Sequence, residues 1–198
     1  AMCPIFIAAG NRELAKAGGQ NVAKDSLINP KVSSLISEYI SNIKTLAADF
    51  KQRAPDGRVY EGKFLISKPY NFRVNYYPPH PLLIVGSKYN LSIYDYEMET
   101  ITRSNPKENP FYFMLVDGKN LASKFKIIYS KELKSELVMT SLNEDQKITI
   151  ITTKQPIALK KLIISDYDNN DVILDFTNVK HNVRLDKNLF IIQDPQIF

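Results

Sequence analysis

The sequence has one cysteine and no tryptophan among its 198 residues. Cys3 alone cannot form an internal disulfide, and the two histidines, His80 and His181, are far apart in sequence, so no Cys/His cluster with metal-ligand spacing exists. Long apolar runs are missing too. A spanning helix needs roughly 20 apolar residues, and the longest stretch, Met2 to Ala9, is far shorter and is interrupted by Pro4. That stretch ends in Ala8, Ala9 and Gly10 as the tail of a signal peptide does, but no basic n-region precedes it, and a start-site artefact accounts for it better. Nucleophile motifs of the Gly-x-Ser-x-Gly type, phosphate loops and dinucleotide fingerprints are all absent, and Cys3 has no base nearby in sequence. No catalytic residue, metal or cofactor is therefore expected. A block of one charge is lacking as well: the excess of 26 Lys and Arg over 21 Asp and Glu is spread over both halves, which excludes a nucleic-acid-binding arm.

What is present points to β structure. The 11 Tyr, 10 Phe and many Ile favour pleated, half-buried surfaces, and 44% hydrophobic residues suffice for one sizeable core. Residues 1–28 mix small and polar side chains without a sustained period and read as a loose leader, leaving 29–198 as a single domain. Asn29 can cap a helix and Pro30 suits its first turn. Val32, Leu35, Ile36, Tyr39, Ile40 and Ile43 then recur at three-and-four spacing.

From Leu46 the period drops to two. Leu46, Ala48 and Phe50 alternate with polar or small residues, Pro55-Asp56-Gly57 turns the chain, and Tyr60, Gly62, Phe64 and Ile66 form the partner strand. Pro69 ends it. Phe72, Val74 and Tyr76 alternate in a third strand, a Pro78-Pro79-His80-Pro81 turn follows, and Leu82 to Val85 and Leu91 to Ile93 continue the meander. Residues 104–125 interrupt it with a polar loop, a short helix opened by Pro110 and containing Phe111, Phe113, Met114 and Leu115, and a further turn over 121–125. Strand patterns resume at 126–130, 136–142, 147–152, 159–165 and 172–179, with a last short strand at 189–192. About ten antiparallel strands with one apolar face must close or curl strongly to bury it. The expected fold is thus mainly β with helices: an incomplete antiparallel β-barrel, a half-barrel covered by a helical lid.

Three segments in this order resemble a known family. They are Thr45-Leu46-Ala47-Ala48-Asp49-Phe50-Lys51-Gln52, Glu61-Gly62-Lys63-Phe64-Leu65-Ile66-Ser67-Lys68-Pro69 and Phe72-Arg73-Val74-Asn75-Tyr76, preceded by a helix. Together with Leu82-Leu83-Ile84-Val85, Leu91-Ser92-Ile93-Tyr94-Asp95 and Pro110-Phe111-Tyr112-Phe113-Met114-Leu115 they resemble the LolA family, periplasmic carriers of lipoproteins. The likeness is clear from Val32 to Leu115 and weaker beyond, where Asp186-Lys187-Asn188-Leu189-Phe190 resembles the closing strand. Lys68 stands where the family often has Arg, Val74 where it often has Trp, and Gly86-Ser87 where it often has Asp-Gly. A guanidinium can fork between several carbonyls, whereas a lysine is a single-point donor.

The resemblance implies a monomeric periplasmic protein. Such a protein accepts lipid-modified proteins from an inner-membrane ABC transporter of the Lol type, shields their acyl chains, and passes them to an outer-membrane receptor or to the outer membrane itself. On that basis Phe50, Phe64, Ile66, Phe72, Val74, Leu91 and Ile93, which share strand parity, are expected to line the cavity with Met114, and Leu35, Ile36, Tyr39 and Ile40 to cover it. Lys68 shares the parity of Phe64 and Ile66 and becomes the candidate latch beneath the lid. Arg73, of opposite parity, becomes the candidate rim contact for an acidic partner. Without the resemblance, the same alternation would describe any sheet core. Asp166, Asp168 and Asp171 lie in a turn and lack the glycine and terminal glutamate of a calcium loop. A domain of the same architecture that senses a lipid without transferring it is the alternative reading.

Overall fold

Asn29 and Pro30 open the helix they were expected to open. In a computed structural model of the chain, which describes residues 27–115, 125–143 and 146–192, helix α1 spans Pro30–Asn42, and the Asn29 side chain accepts from the amides of Lys31 and Val32. That bond satisfies two of the amides that every helix start leaves unpaired. The expected leader over 1–28 falls outside the described residues up to 26. Leu27 and Ile28 lie against a strand, Ile28 bridging to Ser130.

Eleven strands follow: β1 (Thr45–Arg53), β2 (Val59–Ser67), β3 (Asn71–Tyr76), β4 (Leu82–Gly86), β5 (Leu91–Asp95), β6 (Thr100–Ser104), β7 (Lys126–Glu132), β8 (Glu136–Asn143), β9 (Gln146–Thr153), β10 (Leu159–Ser165) and β11 (Asp171–His181). They form one antiparallel sheet in the order β6-β5-β4-β3-β2-β1-β11-β10-β9-β8-β7. Each strand pairs with its sequence neighbour except at two places. The ends of the domain meet where β1 pairs with β11, and the sheet stays open between β6 and β7. Between those two edges the chain makes a 3₁₀ turn over Pro106–Glu108 and a short helix, α2 (Tyr112–Leu115).

Even-numbered residues of β1 to β3 face inwards: Leu46, Ala48, Phe50, Gln52, Phe64, Ile66, Phe72, Val74 and Tyr76 are all buried. One apolar cluster joins these residues other than Gln52 to Leu137, Met139, Ile148 and Ile150 of β8 and β9, to Val32, Ile36 and Ile40 of α1, and to Phe111–Leu115. The inner face of a curled sheet is thus filled from both wings and from two helical pieces. Extra residues on β7, β10 and β11, at the register shifts opposite Ser141/Thr140, Thr152/Ile151 and Ala47/Asp49, bend the strands in the way bulges do. Gly86 admits the Phe72 ring, which a Cβ there would strike.

Two expectations are corrected. The segment expected as a closing strand at 189–192 is instead a 3₁₀ turn over Lys187–Phe190, capped by Asp186, whose side chain accepts from the Asn188 amide. Local bonds win there because Leu189 and Phe190 pack on the outer face of the sheet, in a second cluster with Leu65, Leu83 and Val85. Strand β6 was not expected. It is an exposed edge with one large apolar residue, Ile101, so it carries little alternation to read. The further turn expected over 121–125 falls outside the described residues except for Phe125, which is buried with its ring edge-on to Phe113.

Candidate functional site

The inner face offers side chains for burial rather than for chemistry. Ile36, Ile40, Phe50, Phe64, Ile66, Phe72, Val74, Leu91 and Met114 are buried in one cluster, with Leu35, Tyr39 and Ile93 packed half-buried against it. The structure therefore brings together every residue expected to line or cover a cavity. Phe111 adds a member that periodicity alone did not single out: its ring lies 5.0 Å from that of Phe64 and 6.4 Å from that of Phe72. Aromatic pairs at these separations add modestly to burial.

Lys68 follows β2, and its amide donates to the Lys44 carbonyl, which prolongs the pairing of β2 with β1. Its side chain shares the inward parity of Ile66, and Nζ donates to the Ile40 carbonyl in the last turn of α1. No basic residue of α1 itself stands in that turn. The ammonium from the sheet meets a carbonyl at the negative end of the helix dipole, where a cation is favoured.

A second junction ties α1 to the middle and far wing of the sheet. The Tyr39 hydroxyl lies 2.6 Å from His181 Nε2, and the Leu159 amide donates to the same hydroxyl at 2.9 Å. Burial pushes the Tyr39 phenol up to about 12, so the proton stays on. With its oxygen accepting from Leu159, that proton is available to His181. Burial also holds His181 below the ordinary imidazole range, which keeps it neutral and able to accept. His181 lay outside any metal-ligand spacing, and its partner could not be read from a sequence separation of 142 residues. His80, read as exposed, is exposed, with its ring 5.9 Å from that of Tyr60. A third tie holds the start of α1, where Ser130 Oγ accepts from the Asn29 amide and from Ser33 Oγ and donates to the Asn29 carbonyl.

Arg73 points to the outer face, and its guanidinium donates to the Leu189 carbonyl at 2.9 Å. It is half-buried beneath the 187–190 turn, so a partner reaching it meets that turn first. Among the described residues, three buried side-chain polar atoms have no hydrogen-bond partner: Gln52 Nε2, Asn109 Nδ2 and Thr152 Oγ1. The acidic turn at 166–171 is organised on itself, Asp166 accepting from the amides of Asp168 and Asn170. Among the described residues no group of three or more His, Cys, Asp or Glu could hold a metal, and no helix is long and apolar enough to cross a membrane.

Comparison with known proteins gives this geometry a family. An uncharacterized protein of Rickettsia prowazekii is 35% identical over 83% of this chain and 78% of its own length. An outer-membrane lipoprotein carrier protein of Francisella philomiragia is 28% identical over 87% of this chain and 85% of its own. An uncharacterized conserved protein of Thermus thermophilus shares the fold, with a TM-score of 0.53 at 11% identity over 81% of this chain and 90% of its own. Residues 41–193 match the family described as outer membrane lipoprotein carrier protein LolA, and the chain belongs to that family.

Proposed function

We propose that this protein carries lipid-modified proteins by taking their acyl chains into the apolar inner face of the sheet. The observation that carries the reading is the bond from Lys68 to the Ile40 carbonyl, because it ties a helix with an apolar underside to the rim of an apolar interior through one side chain. In this reading α1 and the 111–115 segment form a lid, Lys68 is its latch, and the lining comprises the residues gathered in the inner cluster.

The energetics call for a lid. A buried methylene contributes about 0.8 kcal/mol, so acyl chains sealed in a rigid cavity would not leave again on their own. Closing bonds that the protein regains on release offset part of that gain. Transfer then proceeds down a small gradient, from a Lol-type ABC transporter of the inner membrane to the outer membrane or a receptor on it. In this reading the protein works in the periplasm as a monomer and catalyses no reaction.

The test is to mix the full chain with a detergent-solubilised triacylated protein, dilute the detergent below its micellar limit, and separate the products by size. A soluble one-to-one complex is expected, together with displacement of an environment-sensitive apolar dye. If correctly folded protein takes up neither cargo nor dye, the carrier reading falls. Uptake without onward transfer to outer-membrane vesicles would select the lipid-sensing alternative.

A further inference from the structure

Gln52 is a polar side chain in a row of apolar ones. On β1 it shares the parity of Leu46, Ala48 and Phe50, it is 0% exposed, and it stands opposite Leu174 of β11 and Tyr60 of β2. Only one end of its amide is satisfied within the chain. The Tyr76 hydroxyl donates to Oε1 at 2.6 Å, while Nε2, equally enclosed, has no partner. Tyr76 is itself fixed, its ring edge-on to Phe50 at 5.2 Å and to Tyr60 at 6.2 Å.

The arrangement gives the interior a chemical direction. With Oε1 engaged, the amide presents Nε2 as a donor, and a donor enclosed by hydrocarbon and aromatic rings gains most from an acceptor that arrives with apolar surface. An aliphatic side chain of similar length at position 52 would spare the fold an unpaired buried amide. Asn109 and Thr152 are weaker candidates. Asn109 Oδ1 accepts from the Phe111 amide two residues on, so that side chain shapes its own turn, and the Thr152 hydroxyl is as much an acceptor as a donor.

We propose that Gln52 Nε2 is a binding site for the acyl carbonyl of the cargo, the ester or amide oxygen that joins a fatty chain to its head. The inference rests on the carrier reading and adds to it a polar subsite within the apolar interior. Hydrocarbon burial supplies affinity without direction. One fixed donor distinguishes an acylated ligand from bare hydrocarbon and sets how deep the chain enters, because the carbonyl must stop beside residue 52.

The experiment compares two ligands that differ only in that oxygen: a long-chain diacylglycerol and the dialkyl glycerol ether of the same chain lengths. Each is titrated against dye-loaded full-length protein. The native chain should prefer the ester by about three- to ten-fold, the ratio that one net hydrogen bond gives. Gln52→Met keeps length and shape without the donor, and should bind the ether at least as well while its ester preference falls to about one-fold. A preference that survives in Gln52→Met overturns the proposal. So does a native protein that binds both ligands equally, an outcome that leaves lipid carriage standing. A native protein that binds neither removes the carrier reading and this proposal with it. Gln52→Leu, measured alongside, keeps the test decisive if the methionine variant does not fold.

Discussion

Lys68 and His181 each make a polar contact that holds the later turns of α1 to the sheet, and each responds to a different perturbation. Removing the Lys68 ammonium frees the Ile40 carbonyl and leaves the negative end of the helix without its cation. Lys68→Leu should shift the balance towards the open state by about tenfold, as loss of a charged hydrogen bond of roughly 1.5 kcal/mol or more does. The added apolar surface should also slow release of bound cargo. Stopped-flow dye binding and a transfer assay read the two effects separately, and unchanged values in both would remove Lys68 from the mechanism. Lys68→Arg should behave as the native chain. His181 answers to pH. Its pKa in the folded chain lies below the ordinary value of 6.5, so the unfolded chain binds the proton more readily. Its contribution is complete above the ordinary value and is lost as the pH falls from there through the folded one. Urea midpoints taken on both sides of that window should therefore drop on acidification, and the drop should shrink in His181→Phe. A variant with the native slope would assign the effect to carboxylates. Tyr39→Phe strips partners from both His181 and the Leu159 amide, and should cost about 1–3 kcal/mol.

Among the elements, α1 takes its position from distant contacts at both ends. Ser130 on β7 holds its first turn through three hydrogen bonds, and β7 is an edge strand that the 27–29 segment partly covers. Ser130→Ala should cost about 1–3 kcal/mol and speed hydrogen exchange at Val32 and Ser33, because the buried Ser33 hydroxyl loses its acceptor while the Asn29 amide keeps only the Ser130 carbonyl. Exchange confined to the opposite end of α1 would show that the helix is released from its Lys68 side instead. The helix itself was readable in the sequence, since Asn29, Pro30 and the spacing of Val32, Ile36 and Ile40 each depend only on near neighbours. So were β1 to β3, where one face is apolar and the other polar. What escaped was decided by distance. Leu83 and Val85 alternate with Leu82 and Ile84 in an unbroken apolar run because the outer face is buried there too, under a turn about a hundred residues later. Leu189 and Phe190 read as strand for the same reason. Gln52 shares the parity of Leu46, Ala48 and Phe50, but a polar side chain at that position gives no sign of its own burial, and only the structure shows Tyr76 beside it.

At the scale of the whole molecule the two faces of the sheet do different work. The inner face collects the buried apolar cluster, while the outer face of β1, β2 and β11 carries exposed ion pairs such as Lys51 with Glu61 and Arg53 with Asp175, which add little stability. The 187–190 turn packs on the outer face, held there by Leu189, Phe190 and the bond from Arg73. Arg73 was chosen as a contact for an acidic partner, and its bond to Leu189 gives the same residue an internal task. The two roles separate experimentally. Arg73→Glu should loosen the 187–190 turn and raise exchange at its amides while leaving dye binding on the inner face intact, because the side chain points away from Phe72 and Val74. If Arg73 also meets a partner, loading from the transporter should slow as well. That deficit should shrink as added salt shortens the Debye length towards about 3 Å at 1 M. Arg73→Met separates strap from charge: it removes the bond to Leu189 without reversing the sign, so a loading defect of equal size in both variants would assign the effect to the turn. A defect confined to Arg73→Glu would assign it to the partner's charge.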